Sequence, residues 1–430
     1  MKKLLLTSLL SIAAFFMASA YDIEIDGYGY DINEDGQSVT LASGDYSLVG
    51  SVTIPSSVTF ESKTYPVTVI GYKAFDHFES MTAVTIPNTV TTINASAFIG
   101  CSALKNINFG SSVEFIGSEA FAECTALTSV TLPASVNEVE TRIFMGCSSL
   151  TSITVASGNT TYDSRNNCNA IIETESNTLV SGCKSTVIPS TIKSIGDGAF
   201  RGCIGLTSVV IPNSVTYVGS CSFCNCTDLT TATIGSAVEW INWSAFDGCS
   251  ALKTLNYNAR ACDNFGSGWA WGTQLDTLNI GNSVVTIPSW FMEEQSELTT
   301  LTIGSAVREI GYRAFSDCAK IKTINSYAVV APVLEEEVFN SETYENATLY
   351  VPHSGVHSYK VADGWKEFLH IEEKGDLNSD RKIDIADLNA IINIILGFTP
   401  AYDLYRTDIN GDFIVDIKDL NAIINIILGL

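Results

Sequence analysis

The sequence predicts a β-rich solenoid wound as a parallel β ladder, followed by a small all-α unit, and three observations carry that reading. First, between Tyr65 and Ile324 an aromatic residue returns with a period near 23: Phe75, Phe98, Phe121, Phe144, Phe200, Phe223, Phe246, Trp269, Phe291 and Phe315. Second, seven of these aromatics are followed three places later by Cys, and then by Leu and alternating aliphatics, as in Leu127, Val130 and Leu132 or Leu206, Val209 and Ile211. Third, the string DLNAIINIILG occurs twice, at Asp387 to Gly397 and Asp419 to Gly429.

A unit this short cannot close a core alone, but stacked units bury a continuous one. Slots that recur from coil to coil therefore point inward, including a second aliphatic pair such as Val113 with Ile116, Val215 with Val218, and Val307 with Ile310. Parallel strands would stack ~4.8 Å apart, and each inward Phe or Leu contributes about 1.5 to 3 kcal/mol by leaving water.

In chain order, Met1 to Ala20 has two lysines, an apolar run and a small-residue end, the three regions of a secretory signal peptide. Residues 21–64 alternate apolar and polar around Gly and Asp turns, as an N-terminal β cap would. Coils follow over 65–325, interrupted by a hairpin insertion at about 157–188, where Cys168 and Cys183 flank a turn near Glu175 to Asn177 and their spacing is compatible with a disulfide. Residues 326–374 read as a C-terminal cap, with a strand at Ala347 to Val351 and a short helix at Val356 to Leu369.

Residues 375–430 hold two loops with oxygen-bearing side chains at loop positions 1, 3, 5, 9 and 12. These are Asp376, Asn378, Asp380, Asp384 and Asp387, repeated as Asp408, Asn410, Asp412, Asp416 and Asp419. Calcium takes six to eight oxygens, and a twelve-residue loop wraps it with these side chains and the main-chain carbonyl of position 7, here Lys382 or Ile414. Two calcium ions are expected. The sixth position, usually Gly, is Arg381 or Phe413, so the loops bend differently there or bind more weakly.

Two family resemblances rest on these motifs. The A-F-x-x-C-x-x-L core of the coils resembles the BspA-like leucine-rich repeats of secreted and surface proteins, which implies the solenoid fold without naming a ligand. Gly375 to Leu430 resembles a type I dockerin, which implies calcium binding and docking to a cohesin-bearing scaffold. The dockerin resemblance further implies that positions 10 and 11, here Ile385, Ala386, Ile417 and Lys418, read the partner.

Composition narrows the function. Removing Lys2 and Lys3 takes the formal charge from −24 to −26, which argues against nucleic acid as a partner. Beyond the signal peptide no apolar stretch approaches the ~20 residues that span a bilayer, so direct membrane insertion is not expected. Seven of the twelve cysteines belong to the repeat register and read as buried free thiols. Cys221, Cys224 and Cys226 form a cluster without a nearby His and read as thiols too, not as a zinc site. Only four His occur, and no nucleophile elbow, phosphate loop or carboxylate pair marks catalysis. Tyr217 and Trp240 share a slot in neighbouring coils with Trp243 three residues on, and this aromatic patch is the candidate ligand face.

The expected function is a secreted, cell-surface or extracellular, non-catalytic adhesion protein. Its solenoid would recognise a glycan or host protein, and its dockerin would bind calcium and a cohesin. Two other readings stay open: a calcium-stabilised terminus that docks to nothing, and a carbohydrate-active component of a cellulosome-type assembly.

Overall fold

The computed structural model describes residues 21–429 apart from 46, 261, 263, 266–268, 271, 379, 381, 399–403 and 413. The expected signal peptide and the sixth loop positions Arg381 and Phe413 lie outside the described residues. The chain winds as a parallel β-solenoid. Its longer strands, Ser208–Val210, Thr231–Ile234, Thr254–Tyr257, Thr277–Ile280, Thr300–Ile303, Thr323–Ser326, Thr348–Val351 and His370–Glu373, pair in that order. Period-two alternation sets the faces. Leu255, Leu278, Leu301, Ile324 and Leu349 align in register and are all buried, while Thr254, Thr277, Thr300 and Thr323 align on the outer face. A second ladder of two-residue strands, including Ser194–Ile195, Tyr217–Val218 and Trp240–Ile241, runs along another side.

The corner between these ladders explains the aromatic period. Phe75, Phe98 and Phe223 donate their backbone N–H groups to Ala97, Ala120 and Ala245 of the next coil, each at 2.8 Å. The rings then stack: Phe75 on Phe98 at 5.0 Å and 2°, Phe98 on Phe121 at 5.2 Å and 5°, and Phe223 on Phe246 at 4.9 Å and 8°. Phe339 prolongs the column one coil beyond the sequence reading, stacked 5.6 Å from Phe315. The register cysteines have a polar task as well as a packing one. Cys101, Cys226 and Cys249 each donate Sγ–H to the carbonyl of the Phe one coil earlier, Phe75, Phe200 and Phe223, at 3.1 Å. A small buried donor in that slot spares a carbonyl from desolvation without a partner.

In the insertion, Ala170–Glu173 runs antiparallel to Thr178–Gly182. Its second strand then pairs in parallel with Ser194–Ile195, so the ladder resumes. The backbone here must be glycine: a Cβ at Gly182 would sit 2.2 Å from the Phe200 ring. The disulfide compatible with the spacing of Cys168 and Cys183 is absent, and both are buried free thiols. A register shift between Ile171 and Ile172 skews the hairpin, and the two sulfurs pack into different halves of the core. Conversely, Cys221 and Cys224, read from sequence as thiols, are joined as a disulfide. Cys221 occupies a left-handed corner position, φ 51°, and the turn brings the two Cα atoms to 4.6 Å.

At the N-terminal end, Ile23–Ile25, Tyr28–Ile32 and Val39–Ser43 pair antiparallel before Val39–Ser43 joins Lys63–Ile70 in parallel. At the other end the expected single helix over Val356 to Leu369 is split. A helix at Val356–Val361 stops at the extended Ala362, and a turn at Trp365–Glu367 follows Gly364, whose φ is 78°. The split lets Trp365 bury itself and donate Nε1–H to Pro332 O at 2.7 Å. Strand His370–Glu373 then leads straight into the acidic loops.

Candidate metal centre and its setting

Each loop is closed by the aspartate at its twelfth position. Asp387 accepts from the backbone N–H of Leu377 and Asn378 through Oδ1, at 2.7 and 3.2 Å, and from Asp384 N through Oδ2, at 3.0 Å. Asp419 repeats this with Ile409, Asn410 and Asp416 at 2.8, 3.2 and 2.9 Å. One carboxylate thus ties the start of the loop to its end. It also caps the following helix, because Asp384 and Asp416 are the N-caps of Ile385–Ile395 and Ile417–Leu428 and form reciprocal capping boxes with Asp387 and Asp419. Asp380 and Asp412 accept from the N–H of Lys382 and Ile414 at 2.9 and 3.0 Å, and Asn378 and Asn410 accept from Asp380 N and Asp412 N at 2.9 and 2.8 Å.

In the second loop, oxygens of Asp408, Asp412 and Asp419 lie within 4.8 Å of one another. Oxygens bound across one calcium ion are separated by up to about 5 Å, so the three converge at a spacing such an ion would bridge. Among the described residues no other group of three, the first loop's aspartates included, converges that closely. Burial pushes the Asp419 carboxyl above its ordinary range, and Asp408 beside it adds to the push. The Lys418 ammonium, 2.6 Å from Asp412 Oδ2, holds that carboxyl below its ordinary range. Buried, mutually repelling carboxylates favour a cation among them.

The residues expected to meet a partner all stand outward: Ile385, Ala386, Ile417 and Lys418 are exposed. Lys418 has a second engagement, since its ammonium bridges Asp412 and Asp416, whereas Ala386 occupies the matching place after the first loop. Far along the solenoid, Tyr217 pairs in register with Trp240, and Trp240 and Trp243 are 52% and 60% exposed. Tyr217 is half-buried, and its hydroxyl accepts from Asn242 Nδ2 at 2.9 Å.

Sequence reasoning missed how the acidic loops meet the solenoid. Tyr327 donates its hydroxyl to Asp408 Oδ2 at 2.8 Å, Lys374 lies over the Tyr327 ring, and Arg406 pairs with Glu372. A signal existed: Gly235, Asn258, Gly281 and Gly304 follow the four long strands just before Thr323–Ser326, so the large aromatic Tyr327 breaks the column.

Residues 68–179, 178–291 and 261–346 match the family profile of the BspA type leucine rich repeat region, in six copies. Residues 374–428 match that of the dockerin type I domain. Among solved structures, the pneumococcal vaccine antigen PcpA is 20% identical, covering 79% of this chain and 95% of its own with a TM-score of 0.48. A leucine-rich repeat protein from Bacteroides ovatus is 24% identical, covering 82% and 100% with a TM-score of 0.43. One from Bacteroides capillosus is 36% identical, covering 31% and 97% with a TM-score of 0.29. No curated protein sequence matches the chain. Among the described residues no helix is long and apolar enough to cross a membrane.

Proposed function

The chain belongs to the BspA-type leucine-rich repeat family and carries a type I dockerin domain at residues 374–428, and from that premise we propose that it is an extracellular, non-catalytic adhesion and docking protein. The observation that carries this is the convergence of Asp408, Asp412 and Asp419 within 4.8 Å, in a duplicated loop whose neighbouring recognition positions stand outward. Two calcium ions would be held, one by Asp376, Asn378, Asp380, the Lys382 carbonyl, Asp384 and Asp387, the other by Asp408, Asn410, Asp412, the Ile414 carbonyl, Asp416 and Asp419. Bound calcium supplies charge neutralisation there. The protein's own part is to fix the loops through Asp387 and Asp419 and so hold both helices.

Docking would run through a cohesin on the scaffold partner, read by Ile385 and Ala386 or by Ile417 and Lys418. The solenoid would face its own ligand, a glycan or a host protein, with Tyr217, Trp240 and Trp243, whose rings offer flat apolar area at low entropic cost. The test is a pull-down of the full chain with cohesins encoded in the same genome, with calcium and with chelator. Calcium-dependent capture by at least one cohesin supports the reading. Calcium binding without capture by any of them reduces the loops to a stabilised terminus.

A further inference from the structure

The two metal loops are near copies in sequence, yet only one of them has its first carboxylate in the grip of Tyr327. The Tyr327 hydroxyl lies 2.8 Å from Asp408 Oδ2 and 3.3 Å from Asp408 O, and it accepts from Asn325 Nδ2 at 3.1 Å. Its ring is clamped on two sides. Lys374, fully buried, sets its ammonium 3.5 Å from the ring centroid, and Gly411 approaches so closely that a Cβ there would fall 2.9 Å from the ring. Gly411 has φ 81° and donates its N–H to Asp408 Oδ1 at 2.7 Å, so the residue that admits the ring also holds the other carboxylate oxygen. Asn325 stands in register with Tyr350 and Glu372 across the last three long strands, and all three are engaged at this junction. Tyr350 lies against the Arg406 guanidinium and Glu372 is ion-paired with it. Thr302, in the next place along that outer row, is 1% exposed.

We propose that the solenoid completes the second metal loop: Tyr327 is a positioning residue for Asp408, so that filling this loop with calcium fastens the terminal domain rigidly to the solenoid end. The inference rests on the calcium reading above and adds a coupling to it. A hydroxyl donated to a carboxylate fixes which lone pairs remain for an ion, and outer partners of this kind change metal affinity about 10- to 100-fold. Coupling is reciprocal, so an ion that needs Asp408 in this pose also favours the docked arrangement. The two pseudo-symmetric loops become unequal, and the exposed recognition residues are presented in a fixed direction from the rod.

The experiment titrates calcium by calorimetry into the chelator-treated full chain, as wild type and as Tyr327→Phe, and follows amide exchange at Asp408–Asp412 and Lys374. Phenylalanine keeps the ring in its clamp and removes only the hydroxyl. The expected result is two sites in wild type and, in Tyr327→Phe, at least a tenfold loss at one site with the other unchanged, together with calcium-sensitive exchange at Lys374 that becomes insensitive. A second variant, Asp376→Asn, should weaken the other site and leave exchange at Lys374 under calcium control. Two unchanged affinities in Tyr327→Phe overturn the coupling while leaving the calcium reading intact. Equal weakening of both sites also overturns it, since that reports a general loss of stability. A wild-type chain that binds no calcium overturns the calcium reading itself, and the coupling with it.

Discussion

The solenoid and the terminal domain solve the same problem with opposite materials. In the solenoid, Phe, Leu, Ile and Val columns fill the interior from Ile23 to Phe368, and the Cys101 thiol and Ser326 hydroxyl that enter it are both hydrogen-bonded. In the terminal domain the fully buried apolar side chains among the described residues are Ile391 and Ile423, while Asp376, Asp387, Asp408 and Asp419 are all buried. Two isoleucines offer about 1.5 to 3 kcal/mol each. Against that stand four carboxylates withdrawn from water, so the first region is held by apolar burial and the second requires charge compensation.

The largest effect that separates the two is metal removal. Chelator should unfold the helices Ile385–Ile395 and Ile417–Leu428 while the ladder from Lys63 to Glu373 persists. Segment-resolved hydrogen exchange checks it: full exchange of residues 376–428 beside protected solenoid strands is expected. Protection of both regions without calcium would erase the contrast.

The next effect attacks the solenoid from within. Phe223 is buried and stacked between Phe200 and Phe246 at 5.0 and 4.9 Å. Phe223→Ala should therefore cost about 3 to 5 kcal/mol, read as a lowered solenoid melting temperature. The calcium affinity of the terminal loops should stay as it was. A change in both would mean that the regions share one stability.

Sequence made the solenoid legible because stacked units must repeat their inward residues, so Phe75 to Phe315 mark the coils without any structure. The paired acidic loops were legible for the same reason, in duplicate. What stayed hidden was whatever depends on one coil differing from its neighbours. Whether Cys168 meets Cys183 depends on a register shift inside the hairpin, and whether Cys221 meets Cys224 depends on a left-handed corner; neither leaves a mark in spacing alone. Tyr327 did leave a mark, as a break in a glycine and asparagine slot, but a break says nothing of what touches it until the chain is folded.

Thiol chemistry sharpens the contrast on a smaller scale. Burial pushes the Cys147 and Cys318 thiols up to about 12. At pH 8 roughly one thiol in ten thousand is then ionised, by the definition of pKa, and the thiolate is the reactive form. Alkylating reagent should leave both unlabelled in the calcium-free protein and label them once the solenoid is unfolded, as peptide mapping would show. A thiol pKa raised by folding stabilises the fold fully below the ordinary thiol value near 9, and that contribution is lost as pH rises toward 12. Alkali should thus weaken the solenoid over that interval.

The smallest effect on stability should come from the exposed aromatics, and that is what makes them informative. Trp240 is 52% exposed at the end of a register pair with Tyr217, so Trp240→Ala removes little buried area and should alter solenoid stability by no more than about 0.5 kcal/mol. Its surface role is tested separately, by binding of the full chain to glycan arrays and to immobilised host matrix proteins. Stacking residues at a contact centre typically cost 2 kcal/mol or more when truncated, roughly a thirtyfold loss of affinity. Unchanged melting with at least that loss places the ligand face on this side of the rod, remote from the terminal acidic loops. Unchanged melting with unchanged binding removes Trp240 from the ligand face, and Trp243→Ala then decides whether any of the patch remains in it.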